Sequence, residues 1–225
     1  MFFGANENHY PEMAAKVSGA TMIRSFKGLS DTWPVMPGNL PCLLSIRRDP
    51  AQLLAGGHDK QITSMVTSAP PHSHLTAWHE ANHAGLDAAT TRKIHTHMSR
   101  LVTDLGSPVR YGAVLTQGAS GDWVIPGLDF YGVDLYDIHR TTDPGLALER
   151  FFGRMPAGDR IVAETNSSAV YHRPAWFREI YDWLFRRGGT AMLTFWNPTG
   201  PLSGPWVDDP ATIYALRGIS RDAQR

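Results

Sequence analysis

The chain has 225 residues, of which 42% are hydrophobic and 19% charged, so it can bury a core and is not a disordered segment. Lys plus Arg equals Asp plus Glu at 21 each, which excludes a long-range field that would attract nucleic acid or an anionic membrane. This length suits one domain, and roughly 200 to 250 residues is the size at which an α/β barrel forms a single unit.

Cysteine content and hydropathy bear on the compartment. Cys42 is the only cysteine, so the chain can form no internal disulfide, and its apolar neighbours predict a buried thiol. The N-terminal residues 1–7 lack the basic and apolar regions of a signal peptide, and no run approaches the roughly 18 apolar residues of a membrane span. We expect a cytoplasmic monomer, although a piece of a longer secreted protein would have the same features.

Short apolar runs that end in polar residues alternate with amphipathic segments along the whole chain, a pattern typical of βαβ units. In chain order, the predicted strands are 1–4, 20–26, 40–46, 75–78, 111–115, 131–135, 160–163 and 190–195. The predicted helices are 10–18, 59–68, 87–105, 145–152, 174–187 and 211–216. The helix at 87–105 has the clearest signal, because Ile94, Met98, Leu101 and Leu105 recur at helical spacing before Gly106.

Eight strands in a chain of this length favour a closed (β/α)8 barrel that forms one domain over 1–225. An open doubly wound sheet is the alternative. A dinucleotide-binding version of that sheet has little support, because no GxGxxG sequence follows the first strand. The sequence therefore predicts a compact α/β barrel with short loops.

Two glutamates follow apolar strand residues, at the strand ends where such barrels build their active sites. Glu80 follows the fourth strand and Glu164 the seventh. Cleavage of a glycosidic bond with retention needs two carboxyl groups roughly 5 to 5.5 Å apart, one that keeps its proton and one that stays ionised. Trp78, His79 and Arg24 are the residues expected to separate the two pKa values. On spacing alone, solvated loop carboxylates are the more common explanation of such residues.

The sequence Trp78-His79-Glu80-Ala81-Asn82 resembles the His-Glu motif on the acid/base strand of family 26 glycoside hydrolases, the β-mannanase group of retaining (β/α)8 enzymes. The resemblance extends along most of the chain, through the segments 23–26, 109–112, 132–136, 162–164 and 191–196. It implies a retaining O-glycoside hydrolase that acts on a polysaccharide or oligosaccharide without a cofactor. Glu80 would be the acid/base and Glu164 the nucleophile.

The chain also departs from that family. Thr165 and Asn166 follow Glu164 where the family usually has a pair such as Phe-Gly, and the usual Gly after Asn82 is missing. The chain is shorter than a typical mannanase. Mannan specificity is therefore not carried over.

The remaining candidate residues are expected to bind sugar or to support the carboxylates. Within the resemblance, His79 would hydrogen-bond near the two glutamates and Tyr136 would orient Glu164. The alternatives are a rim histidine and a core aromatic. Trp196 and Trp123 suit stacking on a sugar face, although a loop tryptophan such as Trp123 can simply pack against the protein. Polar strand-end residues suited to sugar hydroxyls complete the set: Arg24, Asn82, Asp134 and Asn197.

Ten histidines raise the question of a metal site. His95 and His97 are two residues apart on a predicted helix and should face different sides, while His72 and His74 fall in a predicted loop before the fourth strand. We therefore expect no metal. Two alternatives to the hydrolase remain, a degenerate barrel that binds carbohydrate without cleaving it and a metal-dependent hydrolase on the same fold.

Overall fold

The computed structural model describes residues 2–6, 11, 14, 16–17, 19, 21–137, 143–167, 171–187, 192–195 and 209–223. Eight strands pair in sequence order and close into a barrel, and every pair is parallel. The strands are β1 (Phe2–Asn6), β2 (Met22–Phe26), β3 (Cys42–Ile46), β4 (His74–Ala77), β5 (Arg110–Thr116), β6 (Phe130–Asp137), β7 (Asp159–Ser167) and β8 (Met192–Phe195). The predicted α/β barrel is confirmed.

Six α-helices accompany the strands in the described part of the chain. They are α1 (Pro50–Leu54), α2 (Asp59–Thr67), α3 (Ala88–Asp104), α4 (Pro144–Phe152), α5 (Arg173–Arg187) and α6 (Pro210–Ala223). Aspartates cap four of them at the N-terminus, where a carboxylate accepts an otherwise unpaired backbone N-H. None of the helices in the described ranges is both long and apolar enough to cross a bilayer.

Most of these elements lie within two residues of their predicted bounds, but some features were not predicted. Helix α1 was not predicted, although Asp49 followed by Pro50 is a helix-start signal. His74 was placed in a loop, and this is wrong: it is the first residue of β4, with its side chain buried. The predicted helix at 10–18 lies largely outside the described residues.

Two layers of apolar side chains hold the barrel together. A larger core includes residues of the helices and of the outer faces of the strands, and a separate cluster of buried strand residues consists of Met22, Leu43, Val114, Phe130, Ile161 and Ala163. Space in this second cluster is tight, because a Cβ at Gly112 would lie 2.3 Å from the Phe130 carbonyl oxygen. Side chains alternate along a strand, so the residues two positions further on share this inner face. Arg24 is two positions after Met22, so its side chain lies on the inner face, above the cluster.

Candidate active site

Asp134 on β6 and Glu164 on β7 occupy paired positions of neighbouring strands at the carboxyl end of the barrel. Both side chains are buried, Asp134 with 1% and Glu164 with 6% of its surface exposed. Burial of two carboxyl groups is costly unless they are protonated, paired or hydrogen-bonded. The hydrogen bonds and charges around Asp134 and Glu164 therefore decide whether each carboxyl group is protonated or ionised.

A β-bulge aims Glu164 into the barrel. The register is regular up to Val133 and Val162, and then shifts so that Asp134 pairs with Glu164 rather than with Ala163. Without this extra residue the alternation of side chains would turn Glu164 outward, on the same face as Val162. Bulges commonly redirect a side chain next to a functional site. The strand also continues to Ser167, so Glu164 lies within β7 and not at its end as predicted.

Glu80 reaches the same region on a strained turn after β4. Trp78 and Glu80 both have positive φ values, 51° and 53°, which non-glycine residues rarely adopt. The Glu80 backbone N-H donates to the Val114 carbonyl oxygen at 2.8 Å, and the Trp78 indole N-H donates to the Arg48 carbonyl oxygen at 2.7 Å. These contacts fix the turn against β5 and the end of β3. Backbone strain of this kind is often found at functional sites.

The His79 imidazole lies between the three carboxyl groups. Its Nε2 atom is 3.0 Å from Asp134 Oδ2, 3.6 Å from Glu80 Oε2 and 3.7 Å from Glu164 Oε1. Glu80 Oε2 and Glu164 Oε1 thus both face His79 Nε2. The distance between these two oxygens cannot exceed the sum of their distances to that nitrogen. This limit admits the roughly 5 to 5.5 Å separation of retaining glycosidases and also the lower part of the roughly 6.5 to 9.5 Å range of inverting ones. His79 makes the close approach predicted for it, but its contact with Asp134 is not aligned as a hydrogen bond.

Two further residues contact Glu164 directly. The Tyr136 hydroxyl donates a 2.7 Å hydrogen bond to Glu164 Oε2, and Arg24 Nε lies 3.5 Å from Glu164 Oε1. Arg24 is fully buried and is held in place by a 3.2 Å hydrogen bond from Nη1 to the Leu43 carbonyl oxygen. Both contacts favour the ionised form of the carboxyl group.

Burial dominates the protonation of this cluster. Burial, followed by the charge of Asp134, raises the pKa of Glu164 to about 7, against the opposing effects of Arg24, His79 and Tyr136. Burial also raises the pKa of Asp134 well above its ordinary value. The His79 pKa falls to about 4, first because of burial and then because of the Arg24 charge. The imidazole is therefore neutral at neutral pH.

The other predicted sugar-binding residues lie in different surroundings. The Asn82 side-chain amide bonds to β5. Its Nδ2 donates to Thr116 Oγ1 at 2.6 Å, and its Oδ1 accepts from the Thr116 N-H at 3.0 Å. Trp123 is partly buried against the apolar core in the 3-10 helix Gly121–Trp123. Trp196 and Asn197 lie outside the described residues.

Two cavities open on either side of Glu80. The one towards β2 and β3 has a volume of about 490 Å³, and the one towards β5 and β6 about 280 Å³. Glu80 and His83 line both, while Asp134 and Tyr136 line the second. Several lining residues were not predicted from the sequence, namely Phe26, Lys27, Arg47, Arg48, His83 and Gln117. Lys27, Arg47, Arg48 and Gln117 lie within two residues after a strand, and this position was the available signal.

Potential metal ligands also converge at this point. One ligand atom from each of His79, Glu80 and Asp134 lies within 4.8 Å of the others. The pair His95 and His97, considered from the sequence, does not converge on one point. His95 bonds to the Tyr111 hydroxyl at 2.9 Å, and His97 bonds to Asp59 at 2.8 Å. The carboxyl groups and the neutral imidazole are ligand types that a divalent cation accepts.

Known structures share this architecture. No protein-family model matches the chain, and no curated protein matches its sequence. A family 26 endo-β-1,4-mannanase from Cellulomonas fimi is similar in structure with a TM-score of 0.64 and 11% identity, over 98% of this chain and 70% of the mannanase. The family 53 glycoside hydrolase catalytic domain from Ignisphaera aggregans has a TM-score of 0.59 and 10% identity, over 97% and 95%.

A third structure was solved with a sugar bound. It is a family 128 endo-β-1,3-glucanase from Amycolatopsis mediterranei in complex with laminaripentaose, with a TM-score of 0.61 and 11% identity over 97% of this chain and 99% of the glucanase. At such low identity the similarity establishes the fold. The chain thus has the barrel architecture found in several glycoside hydrolases, and membership of family 26 is not established.

Proposed function

We propose that the protein is a retaining O-glycoside hydrolase in which Glu164 is the nucleophile and Glu80 the acid/base. One observation carries the proposal: Glu164 is buried against Tyr136 and Arg24, and it lies across His79 from the more exposed Glu80. Tyr136 and Arg24 favour the ionised form of Glu164 that a nucleophile needs, against the effect of its burial.

In the first step Glu164 attacks the anomeric carbon of the sugar, and the bond from that carbon to the leaving oxygen breaks. Glu80 gives its proton to the leaving oxygen, and a glycosyl ester of Glu164 forms. Glu80 is suited to this role because 27% of its side chain is exposed and it lies between the two cavities. A glycosidic oxygen that bridged the cavities would lie beside it.

In the second step Glu80, now ionised, accepts a proton from water while the water oxygen attacks the anomeric carbon. The ester bond breaks, Glu164 becomes a carboxylate again, and Glu80 recovers its proton. The hydrogen bond from Tyr136 and the charge of Arg24 stabilise the carboxylate that leaves. The same contacts hold Glu164 in position for the next attack.

Asp134 influences this cycle through its charge beside Glu164. Neither of its carboxylate oxygens accepts a hydrogen bond from the residues that the structure describes, and its side chain is fully buried. A proton on Asp134 removes the like charge that opposes ionisation of Glu164. The charge on Asp134 therefore helps to set how readily Glu164 becomes the carboxylate that attacks the sugar.

Azide rescue of two variants tests the assignment. Glu164→Ala should abolish turnover, and added azide should then give a glycosyl azide of inverted configuration. Glu80→Ala should still form the ester from a substrate with a dinitrophenyl leaving group, because such a group needs little protonation. Ester hydrolysis should become slow, and azide should restore turnover with net retention.

The isosteric variants Glu164→Gln and Glu80→Gln serve as folding controls, compared with the parent protein by circular dichroism. Interchanged azide products would reverse the two roles. Near-parental activity of both alanine variants on a confirmed substrate would eliminate the two-carboxylate mechanism altogether.

A second candidate function is favoured by the convergence of His79, Glu80 and Asp134. Three such ligands could hold a divalent cation that activates water, which would make the protein a metal-dependent hydrolase on the same fold. Chelation distinguishes the candidates. Hydrolysis that persists after dialysis against EDTA favours the two-carboxylate mechanism, whereas loss on chelation and recovery with one added metal favours the cation.

A further inference from the structure

The larger of the two cavities beside Glu80 is lined by positive charge. Lys27 follows β2, and Arg47 and Arg48 follow β3. Glu80 is the single carboxylate among the residues that line it. The whole chain has no excess of basic residues. This concentration of positive charge is therefore a local property of the cleft, where low-dielectric walls strengthen its effect.

Arg47 is held at the edge of this cavity by an aromatic side chain. The centre of its guanidinium group lies 4.4 Å from the centroid of the Trp78 ring, within the range of a cation–π contact. Trp78 itself is fixed by its hydrogen bond to the Arg48 carbonyl oxygen. The Arg47 charge is also felt at the centre of the site, because it contributes to the lowered pKa of His79.

Arg48 occupies space that a glycine leaves open. A Cβ at position 28 would lie 3.1 Å from Arg48 Nη2, so Gly28 gives the guanidinium room. Across the described ranges, no carboxylate forms an ion pair with Arg47 or Arg48. The nearby Asp49 instead caps α1, where its Oδ2 accepts from the Gln52 N-H at 3.0 Å.

The smaller cavity has a different character. Its lining contains Thr116, Gln117, Asp134 and Tyr136 together with Glu80 and His83, and neither Lys nor Arg contributes. The two sides of Glu80 therefore present different chemistry to a bound chain of sugars. Only the side formed by β2 and β3 is suited to a negative group.

We infer that the protein binds a glycan whose sugar unit in the larger cavity carries an anionic group, held by Arg47 and Arg48. A guanidinium presents paired N-H donors that match the oxygens of a carboxylate, sulfate or phosphate group. The inference rests on the proposed function, since it names the class of substrate for the same site. It adds that a neutral mannan or glucan is not the preferred ligand.

Calorimetric titration of the Glu164→Gln variant measures binding without turnover. The probes are oligogalacturonate, heparan sulfate oligosaccharide and phosphorylated mannan, each paired with its carboxyl-reduced, desulfated or dephosphorylated form. We expect one anionic probe to bind at least about tenfold more tightly than its neutral counterpart, the scale of one hydrogen bond to a charged group. Raising NaCl from about 0.1 to about 0.5 M should reduce that difference.

Three changes in that background identify the residues responsible. R47Q/R48Q should remove most of the preference, while R47K/R48K should keep part of it because the charge remains. Arg100→Gln is the matched control, since Arg100 is an exposed residue on α3 that lines neither cavity. It should leave binding unchanged.

Equal binding of every charged probe and its neutral form would overturn the inference, as would no binding of any charged probe. Retention of the full preference by R47Q/R48Q would overturn it too. The hydrolase proposal is judged separately, on the parent protein. If the protein prefers anionic glycans but releases no reducing sugar, hydrolysis is contradicted and the anionic preference is not. If it releases reducing sugar from neutral glycans but from no anionic glycan, the anionic preference is contradicted and hydrolysis is not.

Discussion

Replacing Tyr136 with phenylalanine should shift the pH dependence of catalysis in a defined direction. The hydroxyl donates a 2.7 Å hydrogen bond to Glu164, and this bond lowers the pKa of the carboxyl group. Its loss should therefore raise that pKa above about 7. Glu164 must be ionised to attack, so the acidic limb of kcat/KM should move to higher pH.

The size of the effect follows from the geometry. Hydrogen bonds to charged groups contribute about 1.5 to 3 kcal/mol, and about 1.4 kcal/mol corresponds to one pKa unit or a tenfold change in rate. Phenylalanine fills nearly the same space, so repacking should add little. We expect the limb to move by about one to two pH units, and kcat/KM near neutral pH to fall by about tenfold or more.

The assay is a pH profile of kcat/KM on an activated aryl glycoside of the confirmed sugar. Tyr181→Phe is the matched control, because Tyr181 lies on α5 and its hydroxyl has no hydrogen-bond partner in the described structure. Its profile should match that of the parent protein. If Tyr136→Phe left the acidic limb in place, or moved it to lower pH, Tyr136 would not tune the ionisation of Glu164.

Three other changes test separate parts of the account. Asp134→Asn removes a like charge that raises the pKa of Glu164, so the acidic limb should move by roughly one unit to lower pH; a general loss of activity at every pH would contradict this. His95 is fully buried and its pKa is lowered to about 3, so its contribution to stability is complete above pH 6.5 and is lost as the pH falls towards 3. His95→Gln should therefore reduce the fall in urea-measured stability between pH 7 and 4 by about 3 kcal/mol, whereas parallel curves would refute it. Gly112→Ala would place a Cβ 2.3 Å from the Phe130 carbonyl oxygen and should destabilise the barrel by about 3 kcal/mol or prevent folding, and an unchanged Tm would show that β5 and β6 can separate.

The sequence predicted the barrel well because its signals are local. Apolar runs and amphipathic segments alternate along the chain, and every predicted strand overlaps the observed one. The order of strands in the barrel then follows from sequence order alone. Glu80 and Glu164 were selected as candidates for the same reason, as carboxylates that follow or interrupt apolar strand residues.

Other features depend on contacts between strands, which periodicity does not report. The bulge opposite Asp134 turns Glu164 inward, and nothing in the sequence of β7 marks it. Asn82 was expected to contact sugar, but its amide bonds to Thr116 on a neighbouring strand. The basic lining of the larger cavity combines residues that follow β2 and β3, and the pairing of these two strands brings them together.

The configuration of the first sugar released tests the central claim most directly. A confirmed substrate of defined anomeric configuration is hydrolysed with the parent protein, and proton NMR records the anomeric signals before mutarotation. Attack by Glu164 followed by attack by water inverts the centre twice, so the account predicts retention. Initial release of the opposite anomer would contradict it, because a single displacement by water would then be the mechanism and Glu164 would form no ester.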